Sequence, residues 1–424
     1  MNDSWVRGDL SGISFPAHPV ALRQGGVRFL RDAFRAWGVL SADNDVTGID
    51  RFVEVGGGST GRKVVLSVRY CAPQPGVHRE LFAKFSRDFD DDLRDVGRTQ
   101  MDSEVRFAAL ARSPGFPIAV PATQFADYHG ASGTGLLITE RILFGSNGIE
   151  PAYPKCLDYR MPGQYEHYRA IVMALGRLAG AHRAGALPAR LIEHFPVDLA
   201  AATVGERPTR APEQLDRRLV RLVDFIAAHP GLFPADVRAP QLTSRLAADA
   251  RAVIAAEPAL WRHLAAATDH IALCHWNANV DNAWFWRDGH GLRCGLMDWG
   301  CVSQMNVAMA LWGALSAAET DLWNRHLDDL LCAFCDEVRA IGGPDVAPVA
   351  LRRDLVLYAI LMGVTWLLDV PALVRARVPG LDATTTRADP HIEDDEGVRA
   401  PLQMLVNVLN LWAGTDLGDA LRGI

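Results

Sequence analysis

The sequence predicts an α+β fold in two lobes, a small N-terminal antiparallel sheet lobe followed by a larger, mainly helical C-terminal lobe. Two observations lead there. Strand-like segments with β-rich composition crowd the first third, at Ile49 to Val55, Lys63 to Cys71, Leu81 to Phe85 and Gly135 to Arg141. From about residue 165 onward helical spacing dominates, interrupted once by a β-like hairpin between 283 and 297. The boundary falls near residue 142, giving lobes of 1–142 and 143–424.

Each element follows from its pattern. Val20, Leu22, Val27, Leu30, Phe34 and Trp37 mark an amphipathic helix within 17–40. The first two strands enclose the run Gly56 to Gly61, and helical spacing returns at Asp102 to Arg112. Further helical patterns cover 166–186, 213–228, 240–268, 303–341, 350–369 and 397–414, while 373–396, poor in apolar residues, reads as a surface loop. The most apolar stretch, Leu355 to Leu368, is bounded by Arg353, Asp354 and Asp369 and is too short to span a bilayer, so it reads as a buried helix.

Composition narrows the function classes. With 424 residues, 49% hydrophobic and 22% charged, the chain can bury a core and lies far from disordered sequences. A formal charge of -7 argues against nucleic acid or an anionic membrane as the main partner, although a local basic cleft stays open. Seven cysteines, an odd number, and no basic-then-apolar leader predict reduced thiols and a cytoplasmic protein. Cys332 and Cys335 are expected to be two core thiols on one helix face. Among 43 basic residues only Lys63, Lys84 and Lys155 are lysine, so a lysine at a chemical position is notable.

Three motifs carry chemistry. Gly56, Gly58 and Gly61 fit G-x-G-x-x-G, but a strand follows them rather than a helix, which is the arrangement by which kinases lay backbone N–H groups over ATP phosphates. A flexible hairpin turn is the alternative. Lys84 sits among apolar residues on a strand and needs an anion, for which Glu104 on the next helix is suitably placed; a snorkelling edge-strand lysine is the alternative. The third motif runs from Leu273 through His275-Trp276-Asn277 and Asp281-Asn282 into the hairpin and ends at Met297-Asp298-Trp299. Pairing of 283–286 with 294–297 brings Asn282 and Asp298 out at one open end, where their oxygens could share a magnesium ion.

Taken together, these elements resemble the aminoglycoside phosphotransferase-like branch of the protein-kinase-like fold, which includes choline kinase-like and ecdysteroid kinase-like enzymes. The resemblance covers about residues 50–340. It implies ATP and magnesium as cofactors and a small-molecule hydroxyl as acceptor, with no nucleic-acid or membrane partner. Gly56, Gly58, Gly61, Lys84, Glu104, Glu140 and Ile142 become the nucleotide-binding positions, Asn282 and Asp298 the metal ligands, and His275, Asn277 and Asp281 the catalytic set. His182, in a stretch similar to the family helix beneath the catalytic loop, is read as structural.

The chain departs from the family pattern where it matters for chemistry. Asn277 stands where the family has the aspartate that accepts the acceptor's proton, and an amide cannot be a base. Trp276 replaces a glycine, and the segment Ser303 to Leu311 lacks the Asp-Leu that often braces the loop. Asp281 is the nearest spare carboxylate. Two readings therefore stay open: a phosphotransferase in which Asn277 only positions the acceptor, and a pseudokinase that binds nucleotide without turning it over. The run Glu393 to Glu396 reads as a solvated face, and Trp276, Trp284, Trp286 and Trp299 as core residues rather than a cage for a quaternary amine.

Overall fold

The computed structural model describes residues 4–56, 61–92, 94, 97–199 and 212–424. In chain order it contains β1 (Trp5–Arg7), β2 (Ser14–Pro16), α1 (Pro19–Ala36), β3 (Val46–Val55), β4 (Lys63–Tyr70), β5 (Glu80–Phe85), α2 (Arg98–Ala111), β6 (Thr123–His129) and β7 (Thr134–Glu140). Then come α3 (Gln164–Arg183), α4 (Ala189–Ile192), α5 (Pro212–Ala228), α6 (Ala235–Arg238), α7 (Pro240–Thr243), α8 (Leu246–Ala266), β8 (Ile271–His275), β9 (Ala283–Asp288) and β10 (Gly291–Leu296). The chain closes with β11 (Val302–Asn306), α9 (Val307–Leu315), α10 (Thr320–Ala340), α11 (Pro348–Trp366), α12 (Val370–Arg377), α13 (Pro390–Glu393), α14 (Glu396–Ala413) and α15 (Leu417–Leu421). The fold is α+β, an N-terminal antiparallel sheet followed by a mainly helical remainder. Its contacts divide it into two compact units: residues 1–150 with 185–196 and 295–303, and residues 151–184 with 197–294 and 304–424.

In the first unit a five-stranded antiparallel sheet runs in the order β3-β4-β5-β7-β6. Strand alternation sorts its residues by face. Val64, Leu66 and Val68 of β4, with Leu81 and Ala83 of β5, lie in a core shared with Leu22, Phe29, Leu30 and Phe34 of α1. The helix α1 spans the predicted segment but bends at Gly26, whose φ of 53° only a glycine adopts readily. Strand β6, which the sequence pattern missed, contains the fully buried Asp127. That carboxylate accepts N–H bonds of 3.0, 3.0 and 2.8 Å from Leu10, Ser11 and Tyr128, so the N-terminal residues supply the partners its burial demands.

The second unit is a set of packed helices. Gly176 and Gly180 of α3 let α10 approach closely, since a Cβ at either position would lie 2.8 Å from a backbone carbonyl of that helix, Phe334 and Val338 respectively. The apolar segment forms α11, long and apolar enough to cross a membrane by composition, yet every residue from Asp354 to Val364 is buried inside the fold. Three expectations need correction. The pattern 303–341 is a strand and two helices, because Asn306 caps α9 through the Ala308 N–H at 3.0 Å and Asn407 ties up the carbonyls of Ser316 and Ala318 at 2.8 Å each. The segment 373–396 is not a plain surface loop: it contains the end of α12 and all of α13, with Ile392 fully buried. Cys332 is exposed and only Cys335 is buried, because Cys332 falls in the solvent-facing stripe of α10 with Asp328, Asp329, Asp336 and Arg339 while Cys335 lies at the edge of the buried face; none of the seven cysteines is in a disulfide.

Candidate functional site

Chemistry gathers in the first unit around Lys84. Its Nζ lies 2.6 Å from Glu104 Oε2 and 2.5 Å from Asp298 Oδ1, with the lysine side chain 4% exposed. The sheet places Lys84 on the face opposite Leu81 and Ala83, α2 carries Glu104, and Asp298 is held at a left-handed φ of 62° just after β10. The turn of residues 299–301 is clamped on α2 by Trp299, which stacks on Phe107 at 3.7 Å between ring centroids. Burial alone would strip the proton from Lys84, but the two carboxylates more than offset it and raise its pKa. Glu104 responds the other way: burial pushes its carboxyl up, against the pull of Lys84. Asp298 keeps 41% of its side chain exposed.

Of the glycine run, Gly56 and Gly61 are described. Gly56 is exposed, with nothing within 4 Å of where a Cβ would stand. Gly61 has a φ of 122°, and a Cβ there would come 2.1 Å from the Phe85 carbonyl, so the chain leaving the turn presses onto the end of β5. Gly58 lies outside the described residues. At the end of β7, Glu140 is engaged structurally: its carboxylate accepts the Ala122 N–H at 2.9 Å and meets His78 at 3.2 Å. Ile142 follows on the rim of a cavity of about 280 Å³ shared with His78, Arg79 and Asn147.

In the second unit the segment 275–282 is a tight polar loop. His275 is fully buried, and its Nδ1 accepts the Asn277 N–H at 3.2 Å. Asn279 Nδ2 donates to Asn277 Oδ1, and Asn282 Nδ2 donates to the Asn277 carbonyl, each at 2.8 Å. Asp281 pairs with Lys155 at 3.3 Å, while its buried Oδ1 accepts no hydrogen bond. Burial raises the Asp281 carboxyl, and Lys155 opposes the rise. His182 of α3 accepts the Leu273 N–H at 3.2 Å and is pushed down to about 4 by burial, so the neutral ring holds β8 in place. This is the structural role expected of it.

The chain matches no family model, and no curated protein matches it. Among solved structures it is similar to a choline kinase from Cryptosporidium parvum, at 11% identity over 92% of this chain and 99% of that one, TM-score 0.43. It is also similar to an ethanolamine kinase from Plasmodium vivax, at 12% identity over 85% and 81%, TM-score 0.42. A third likeness is the GDP complex of an aminoglycoside 2'-phosphotransferase, at 13% identity over 85% and 94%, TM-score 0.39.

Lys84, Glu104 and Asp298 come together as one cluster, and His275, Asn277 and Asn282 as another. Three participants escaped the sequence reading. Lys155 holds Asp281, and its rarity as a lysine was the available signal. Tyr358 accepts a hydrogen bond from Trp276 Nε1 at 3.0 Å. Gly313 of α9 passes so close beneath the loop that a Cβ would lie 1.5 Å from the Trp276 carbonyl, which no local pattern announces. The tryptophans each have their own packing: Trp284 stacks with Trp286 at 6.2 Å, and Trp299 with Phe107.

Proposed function

We propose that this chain is an ATP- and magnesium-dependent phosphotransferase acting on a hydroxyl of a small molecule, with residues 1–142 as the nucleotide lobe and 143–424 as the acceptor lobe. The observation that carries this reading is the Lys84 cluster. A buried ammonium fixed by a buried glutamate and a part-exposed aspartate, on the strand whose end meets Gly61, is a held cation of the kind that orients the α- and β-phosphates of a nucleotide. Glu104 holds Lys84 in position, and Gly56, Gly58 and Gly61 are the positions assigned to the phosphates.

The donor types suit magnesium: in the first unit Asp298 would offer a carboxylate oxygen, and in the second Asn282, whose Nδ2 donates to the Asn277 carbonyl, would offer its amide Oδ1. This hard cation takes such oxygens and completes its shell with phosphate and water. Bound together, the metal and nucleotide would supply the phosphoryl group and neutralise its charge. Asn277 positions the acceptor: with Oδ1 occupied by Asn279, its N–H groups are donors toward an acceptor oxygen, and it takes no proton. Asp281, its carboxyl raised by burial, is the carboxylate for that task.

A second reading, a kinase-like module that binds nucleotide and has lost the transfer, is favoured by the amide at 277. Calorimetric titration with ATP, with and without magnesium, followed by turnover of the native chain and of Asn277→Asp, separates the two. Binding that tightens with magnesium, together with measurable native turnover, supports the enzyme. Turnover appearing only in the variant supports the module, and absence of binding at millimolar ATP removes both.

A further inference from the structure

The register of the sheet sets two of the three lysines of this chain directly opposite one another, Lys63 on β4 and Lys84 on β5. Directly opposed residues in an antiparallel pair project from the same face of the sheet, so both ammonium stems rise on the side that carries Glu104 and Asp298. Like charges opposite each other in a sheet repel, and here they do so in a half-buried setting. The Lys63 ammonium is disfavoured by its burial first and by Lys84 second, while Asp298 and Glu104 pull the other way. Lys63 thus belongs to the electrostatics of the Lys84 cluster.

The position of Lys63 is fixed by the sheet rather than by a loop. Two residues earlier Gly61 presses against the Phe85 carbonyl, and the Phe85 N–H donates to the Arg62 carbonyl at 2.9 Å. Arg62 itself is engaged by Glu54 at 2.6 Å and Asp88 at 3.4 Å. The strand register therefore sets the Lys63 stem next to that of Lys84. A compact ammonium with three donors grips single phosphate oxygens as a point charge. Lys84 is already matched by two carboxylates, so a polyphosphate needs a further positive charge on the same face.

We propose that Lys63 is a second phosphate-binding cation, forming with Lys84 a two-lysine clamp on the polyphosphate of a nucleoside triphosphate. This inference rests on the nucleotide reading given above and adds a binding residue to it. The clamp predicts that the contribution of Lys63 grows with the number of phosphates on the ligand.

The test is equilibrium titration of the full chain with ATP, ADP and adenosine, comparing native protein, Lys63→Met and Lys63→Arg, with thermal unfolding of each as a check on folding. The clamp requires Lys63→Met to weaken ATP by about tenfold or more, a charge-assisted contact being lost, to weaken ADP less, and to leave adenosine unchanged. Lys63→Arg, which keeps the charge, recovers part of the ATP affinity. Native-like ATP binding by Lys63→Met, equal losses for ATP and adenosine, or Lys63→Arg as weak as Lys63→Met would each overturn the clamp while leaving the nucleotide reading standing. If the native chain binds none of the three ligands, the nucleotide reading fails and the clamp falls with it.

Discussion

Around Lys84 a buried ammonium and a buried glutamate meet a part-exposed aspartate, whereas between His275 and Asn282 the polar contacts, the Asp281–Lys155 pair apart, run through amides and one imidazole nitrogen. The contrast extends through the two units. In the second, Tyr168 donates to the fully buried Asp158, whose carboxyl is pushed up to about 7 by burial, and His182 is held neutral. The same unit also holds the Asp281–Lys155 pair and Asp354, whose carboxyl is held down by hydrogen bonds with His270 at 3.0 Å and His263 at 2.8 Å. A buried charge persists only where a partner of opposite sign lies within contact distance, and otherwise the group gives up its charge. The first unit thus sets a buried cation between two acidic side chains, while the second builds a loop held mainly by amide hydrogen bonds.

The largest expected effect comes from adding a carboxylate to the loop. Asn277→Asp raises turnover by about 10²- to 10⁴-fold on the module reading, which lacks a base, and changes it little on the enzyme reading, in which Asp281 already serves; the initial rate of ADP release separates the two. Next, Lys84→Met leaves Glu104 and Asp298 facing each other without their cation. It is expected to cost about 3–5 kcal/mol in urea unfolding and to abolish ATP binding. The double variant Lys84→Met/Glu104→Leu recovers much of that stability but not the binding, as the nucleotide proposal requires.

Two pH experiments sharpen the contrast at smaller scale. Asp158 has a folded pKa of about 7, above its unfolded value, so the protonated form is the one the fold favours. Its contribution is complete below about pH 4 and is lost as pH rises through 7. Asp158→Asn removes that dependence, and the variant gains about 3 kcal/mol on the native chain between pH 4 and pH 8. His182 has a folded pKa of about 4, below the unfolded value, so the native chain loses stability as pH falls from about 6.5 toward 4. After solvent screening of this partly exposed ring the loss is about 1 kcal/mol, and it disappears in His182→Asn. Chemical unfolding at stepped pH measures both, and a flat profile for either native group would erase that part of the contrast.

Much of this was legible in the sequence because it is written locally. The strands at 46–55, 63–70, 80–85 and 134–140 and the helix at 19–36 follow from periodicity within a few residues. Strand β6 was not legible, since Asp127 reads as a polar break until the N–H groups of Leu10 and Ser11 are seen to satisfy it. Nor was the division of 303–341, which depends on Asn407 from a distant helix. Cys332 faces solvent because its neighbours on α10, not its own apolar character, decide which side of that helix is covered.

By itself the sequence determined the strands at 46–55, 63–70, 80–85 and 134–140, the helix at 19–36, the glycine run before a strand, and the rarity of lysine that singles out three positions. Tertiary structure alone decided that Lys63 stands opposite Lys84, that Lys155 reaches Asp281, and that α9 runs under the loop at Gly313. The reason is one of range. Helix and strand signals depend on residues within a turn or two along the chain, whereas ionisation, desolvation and close packing depend on distances between segments that only folding brings together.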